Sequence, residues 1–328
     1  MKPLPRVLAA LLTGLLPLAP ASALDQAAFV AVGAGVLRIE APRTDGTLSI
    51  GSGVVVASER VVTNCHVTRD ARAIQVVRGG ARWTVTVQAS DLDHDLCLLQ
   101  VPGMEVRSVP LGRAADLSIG QPVTALGYTG GVGMQRSRGE VIELHRHDGA
   151  RVIQASNRFG SGASGGGLFD DEGRLVGILT FRLRGGAAHY FATPVEWVQR
   201  MLANPDPASF EAVAPLDSPL RAFWQRSVGT QPRFLQAAVL RRDDKWSELA
   251  AMAIAWLRAD AADGEPWYLL GVALEHLNQP ILARLALECA LRVEPTPRAA
   301  RRWLASLFVR EQPGELFTES GDCRAASR

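Results

Sequence analysis

The hydrophobic period of this chain changes once, near residue 200. Before that point, short β-branched runs recur at 36–39, 53–56, 61–63, 74–77, 83–87, 96–101, 123–126, 139–144, 151–155 and 175–180. Glycine-bearing turns separate many of them. Alternating short runs of this kind predict strands, and so many predict a closed or sandwiched antiparallel β fold. Beyond that point, alanine, leucine and arginine recur at helical spacing, predicting helices over 232–240, 246–258, 265–277, 281–293 and 297–309. Pro205, Pro207, Pro215 and Pro219 fall between the two regimes, so 204–219 is read as a linker.

The first residues form a third regime. Lys2 and Arg6 precede an apolar run from Val7 to Leu18, and Ala21-Ser22-Ala23 follow as small residues. This is the pattern of a secretory signal peptide cleaved near Ala23. The apolar run is broken by Thr13, Gly14 and Pro17 and is short for a membrane span, so none is expected in the mature chain. The chain therefore divides into a signal peptide 1–23, a β domain 24–203, the linker, a helical domain 220–312 and a polar tail 313–328. Of 35 lysines and arginines, the signal removes two, leaving 33 against 33 acidic residues. That balance does not point to a nucleic-acid partner.

The β region carries three residues of catalytic type. Ser164 stands in Gly160-Ser161-Gly162-Ala163-Ser164-Gly165-Gly166-Gly167, a loop whose small side chains let backbone amides approach another molecule. His66 follows the apolar run Val61-Val62-Thr63, and Asp95 precedes Leu96-Cys97-Leu98-Leu99. Taken singly, these read as a flexible linker serine, a structural histidine and a turn aspartate. Together they give the order His, Asp, Ser, each where an apolar strand meets a loop. A serine hydroxyl is a weak nucleophile at neutral pH and needs such partners.

At these residues the sequence resembles the trypsin-like serine proteases, in particular the bacterial HtrA-type branch. The resemblance rests on Gly51-Ser52-Gly53-Val54-Val55, Val62-Thr63-Asn64-Cys65-His66-Val67, Asp95 to Leu99, Gly162 to Gly166, and Phe191-Ala192-Thr193-Pro194-Val195. It covers about 30–200 and implies an all-β double barrel with the active site between the barrels. It implies Ser164 as nucleophile, His66 as general base and Asp95 as its orienting partner. It also implies an oxyanion hole from the backbone amides of Gly162 and Ser164. Thr180, Phe181 and Arg182 match the strand that pairs with the substrate backbone. The substrate is then a protein or peptide, and no metal or organic cofactor is required. Exported plan and composition together imply the periplasm, or secretion.

Three features depart from the family pattern. Ala163 stands where a polar residue usually braces the loop. Arg158 and Arg182 fall near the expected pocket base and wall, where they either select acidic side chains or point to solvent; solvent is preferred. No PDZ domain follows the β region.

If His66 meets Asp95, Cys65 and Cys97 are carried together, and a disulfide between them is expected. The alternative is two buried thiols. The pairing of Cys289 and Cys323 is left open. His145 and His147 alternate on one run and read as solvated strand histidines rather than metal ligands.

In the helical half, Trp267, Leu270, Gly271, Leu274, Ala283, Leu287, Ala290 and Pro295 fall at the spacing of a tetratricopeptide repeat. One good repeat, a degenerate one before it and a capping helix are too few to bury a core alone. This half is therefore expected to pack against the β domain or another subunit and to offer a groove to a partner. The leading expectation is an exported serine endopeptidase with a helical domain for partner binding or regulation. The rival is an inactive or latent protease-fold scaffold acting through the repeat.

Overall fold

The computed structural model describes residues 26–130, 133–183, 190–203 and 209–293. The signal segment, the expected helix at 297–309, the tail 313–328 and Cys323 lie outside the described residues.

Helix α1 (Gln26–Gly33) leads into the first β unit. Its strands are β1 (Val36–Pro42), β2 (Leu48–Ala57), β3 (Arg60–Thr63), β4 (Gln75–Arg78), β5 (Ala81–Thr84), β6 (Val87–Asp91) and β7 (Leu96–Gln100), with the short helix α2 (Cys65–Thr68) after β3. The second unit holds β8 (Pro122–Thr129), β9 (Gly133–His147), β10 (Ala150–Ala155), β11 (Gly167–Phe169), β12 (Leu175–Arg182) and β13 (Tyr190–Pro194), followed by α3 (Val195–Ala203). These six strands close into a barrel in the order β10–β13–β12–β11–β8–β9. The run 83–87, read as one strand, is the junction of two. Val85 N–H turns to the Ile74 carbonyl and Thr86 N–H to that of Gln100, so the chain crosses there from one side of the sheet to the other.

The described part of the expected linker, residues 209–219, is laid on the first unit. Strand β14 (Glu211–Ala212) pairs with β6, so the first sheet runs β14–β6–β7–β3–β2–β1–β4–β5. Leu216 N–H bonds the Arg69 carbonyl at 2.7 Å, and Val213 and Leu216 pack on the core below. Apolar residues between the prolines hold the extended chain down.

Helices α4 (Arg233–Arg242), α5 (Trp246–Ala259), α6 (Gly264–His276) and α7 (Pro280–Val293) pack in sequence, each on the next. Gly271 permits the closest approach: a Cβ there would lie 2.6 Å from Leu287 Cγ. One apolar cluster runs from Phe181, Phe191 and Trp197 of the barrel region through Phe223 and Phe234 to Leu249, Trp267 and Leu287 of the helices. Among the described residues the helical half therefore has no separate core; it is packed on the barrel.

That packing corrects the reading of His145 and His147 as solvated. His145 is buried, because α4 and α6 cover the face of β9 that carries it. Its Nδ1 lies 2.7 Å from Glu265 on α6, its Nε2 lies 3.1 Å from Gln154 Oε1, and Phe234 stacks on the ring at 4.4 Å. Burial pulls the ring pKa down, but the charges of Glu265 and Glu143 and the hydrogen bonds overcome this and push it up to about 9. Glu143, His145 and Glu265 are close enough to hold a metal ion. Arg241 sits 3.3 Å from Glu143 and meets its charge. The group is an ion-paired lock between barrel and helices. His147 is half-buried against Phe223 and Trp197, and burial lowers its pKa.

A pH dependence follows. The folded pKa of His145 is raised, so its contribution is fully present below the unfolded value near 6.5 and is lost as pH rises through about 9. Burial also raises Glu265, an effect of the same sign that starts from its ordinary value near 4.5 rather than from 6.5. Unfolding free energy is expected to fall on the order of 3 kcal/mol across that window. Urea unfolding at pH 6.5 and 9.5 checks it. The double variant His145→Phe, Glu265→Gln should lose most of the difference.

Candidate active site

His66 and Asp95 come from the two strands that meet at this end of the first sheet. Strand β3 pairs with β7 in the register Thr63↔Cys97, so the residues just beyond Thr63 lie beside those just before Cys97. Asp95 is buried and holds a left-handed backbone, φ +59, rare outside glycine and costly unless its surroundings fix it. They do: its carbonyl accepts from Asn64 Nδ2 at 2.9 Å and Cys65 N–H at 3.2 Å. The carboxylate then grips His66 twice. Oδ2 lies 2.6 Å from the ring Nδ1, and Oδ1 accepts the His66 backbone N–H at 2.9 Å. With Nδ1 held there, Nε2 is on the free side of the ring. Cys65 and Cys97 are disulfide-bonded, with Cα atoms 4.9 Å apart. The bond ties the segment carrying His66 to the strand following Asp95.

Ser164 lines a cavity of about 270 Å³ together with His66, Phe159, Gly160, Ser161, Thr180, Phe181, Arg182 and Trp224. The loop before it is fixed peptide by peptide. Ser161 C=O accepts from Gly130 N–H at 2.9 Å. Since a trans peptide sets C=O and N–H in opposite directions, Gly162 N–H points away from Gly130. Ala163 N–H bonds Gly160 O, Gly165 N–H bonds Leu179 O, and Gly166 N–H bonds Ala163 O. Among the described residues, the N–H groups from 162 to 166 without a hydrogen-bond partner are those of Gly162 and Ser164. These are the two expected to receive an oxyanion. Glycine is required in this loop above all where the backbone is left-handed. Gly162 has φ +95, and a Cβ there would lie 2.4 Å from the Tyr128 carbonyl; Gly165 has φ +84, and its Cβ would lie 2.1 Å from the Ser52 carbonyl.

The bracing that Ala163 lacks comes from Ser52. Its hydroxyl donates to the Gly162 carbonyl at 2.7 Å and accepts the Tyr128 N–H at 2.8 Å. Its own N–H donates to the Ser164 carbonyl at 2.8 Å, and its carbonyl accepts from Thr63 Oγ1 at 2.7 Å. Ser52 is fully buried. Ala163 is buried too, packed against Gly127. Ser52 sits in the motif Gly51-Ser52-Gly53-Val54-Val55, yet nothing in the motif signals this role, because the partners of its hydroxyl are 76 and 110 residues away.

The expected substrate strand is β12. Strand β11 covers its edge as far as Leu175–Ile178, and Leu179 bonds to the loop, so the edge of Thr180, Phe181 and Arg182 faces the cavity. Thr180 contributes backbone only: its hydroxyl is buried among Ile178 O, Thr193 Oγ1 and Asn64 Nδ2. Arg182 is exposed at the rim. Arg158 is exposed and lines a different cavity, behind Phe159. Trp224, from the far side of the expected linker, had no place in the sequence reading of the site.

Residues 51–178 match the family model of the trypsin-like peptidase domain. Serine protease HTRA4 of Mus musculus is 33% identical over 181 residues, 51% of this chain and 37% of that protein. The chain spans little more than a third of the length of the curated relatives it matches. Among solved structures, the HtrA-type protease AlgW with tripeptide is 27% identical with a TM-score of 0.50, covering 54% of this chain and 61% of that one. The Rv3671c protease from M. tuberculosis, active form, is 24% identical with a TM-score of 0.50 over 60% of this chain and 93% of its own, a likeness of fold alone. The β part of this chain is therefore similar to the trypsin-like peptidase domain, and the relatives it resembles are named as HtrA-type serine proteases.

Proposed function

We propose that the chain is an exported serine endopeptidase in which Ser164, His66 and Asp95 act as a triad. The observation that carries this is one cavity uniting Ser164 with His66, whose Nδ1 is held 2.6 Å from Asp95, beside the unpaired N–H groups of Gly162 and Ser164. A peptide pairs along the edge of Thr180–Arg182. His66 Nε2 takes the Ser164 proton as Oγ attacks the carbonyl carbon. The oxyanion sits against the Gly162 and Ser164 amides. The imidazolium, stabilised by Asp95, returns its proton to the leaving amine, and water repeats the sequence on the acyl-enzyme. Export rests on the signal-like segment 1–23, with the periplasm or the exterior as destination. The antiparallel α6–α7 pair, tight at Gly271, supports the tetratricopeptide-like reading. Ile281 and Leu282, exposed on α7, support a protein partner for it.

The test is incubation with an unstructured protein, with new internal termini read by mass spectrometry. Cleavage inside the chain supports an endopeptidase. Retention of peptide without cleavage under any condition would favour the scaffold. That second reading has one observation behind it: among the described residues the Ser164 hydroxyl makes no hydrogen bond to His66. Such bonds are often long before substrate arrives.

Ser52 gives a further expectation. Ser52→Ala leaves the Gly162 carbonyl and Tyr128 N–H without their partner, at a cost of about 1–3 kcal/mol. The loop is then free to shift its amides, and kcat should fall about 10- to 100-fold with KM little changed. Steady-state kinetics on a short peptide ester check it; kcat within twofold of wild type would remove Ser52 from the account.

A further inference from the structure

The matched peptidase segment ends at residue 178, yet one wall of the cavity is built from beyond residue 220. Trp224 lies in the turn Phe223–Gln225. Its indole stacks on Phe181 at 5.0 Å with 6° between the planes, and stands edge-on to His66 at 5.8 Å. Phe181 in turn stacks on Phe191 at 4.6 Å. Three parallel rings thus run outward from the barrel, and Trp224, half-buried, is the outermost.

The turn is held in this position from both sides. Phe223 is fully buried and anchors it to the core. Phe223 N–H donates to the Asp93 carbonyl at 2.9 Å, and Arg226 forms an ion pair with the Asp93 carboxylate, two residues from Asp95. On the other side, Gln231 Nε2 donates to the carbonyls of Trp224 and Arg226, both at 2.9 Å. Gln231 C=O accepts from Gln236 on α4 at 2.7 Å. A ring braced this closely is a fixed wall.

We propose that Trp224 is a specificity-determining residue: it forms an aromatic subsite against His66 that selects an apolar side chain one residue before the acyl residue of the cleaved bond. This deepens the endopeptidase reading and rests on it. An extended peptide alternates its side chains across the strand. The acyl residue at Ser164 sends its side chain toward Phe159, Gly160 and Ser161. The residue before it points the opposite way, to the side of the cavity where Trp224 stands beside His66. Those faces are aromatic, so the favoured occupant is aliphatic or aromatic, and a glycine there leaves the wall uncovered.

The experiment uses two peptides built on a sequence the full chain cleaves, differing only by Leu or Gly at that position. Wild type is expected to prefer Leu, and Trp224→Ala to lower the Leu:Gly ratio of kcat/KM about 10-fold, the size of losing most of one buried side chain's apolar contact. Trp224→Phe should keep most of the preference. The ratio is taken within each variant, so differences in active fraction cancel. An unchanged ratio in Trp224→Ala overturns the subsite while leaving the endopeptidase reading intact. Should Trp224→Ala cleave neither peptide, Trp224→Leu and Trp224→Phe supply the ratio. Inactivity of all three also overturns the proposal, since a subsite wall is not needed to cleave the Gly peptide. Wild type that cleaves no peptide at all would count against the endopeptidase reading and take the subsite with it.

Discussion

Ser164→Ala is expected to lower peptide cleavage about 10⁶-fold while changing unfolding free energy by no more than about 0.5 kcal/mol. The two halves of this prediction have different causes. The hydroxyl of Ser164 makes no hydrogen bond among the described residues, so its removal leaves no partner stranded. Its backbone stays fixed, because Ser52 N–H still holds the Ser164 carbonyl and Leu179 still accepts from Gly165. Catalysis loses its nucleophile outright and keeps only the binding cleft and the two amides. Kinetics and urea unfolding on the same preparation read both halves. Activity within tenfold of wild type would mean that another group attacks the peptide.

Asp95→Asn is expected to lower kcat about 10⁴-fold with the fold retained. The geometry forces a conflict. One carboxylate oxygen accepts the His66 backbone N–H at 2.9 Å, and the other lies 2.6 Å from Nδ1. An asparagine has one oxygen for these two duties. If the oxygen keeps the backbone N–H, its NH₂ faces Nδ1 and drives the proton to Nε2, where the base is needed. If the amide flips, NH₂ meets N–H, and the segment around His66 shifts. Either way the stabilising charge for the imidazolium is lost. Circular dichroism with kinetics checks it, and a loss under tenfold would place the orienting role elsewhere.

The parts of the site that were legible in the sequence are those made by local pattern. Strand alternation puts His66 just after β3 and Asp95 just before β7, and the ladder between these strands then brings the two together. Cys65 and Cys97 follow as a consequence, and they are bonded. What was not legible depends on distant chain. Ser52 acts through partners 76 and 110 residues away, and no local rule reports such a bond. His145 has the spacing of a solvated strand residue; only α4 and α6, more than 80 residues later, decide that it is buried. Trp224 follows a proline-rich stretch that reads as a linker. Its place beside His66 is set by tertiary contacts with Asp93 and Phe181, which leave no periodic trace.

The most direct test of the account is covalent labelling of the native chain with a fluorophosphonate, followed by peptide mapping. A single phosphonyl adduct is expected on the peptide containing Ser164, absent from Ser164→Ala and strongly reduced in His66→Ala. No adduct on well-folded protein, or one confined to another residue, would contradict it.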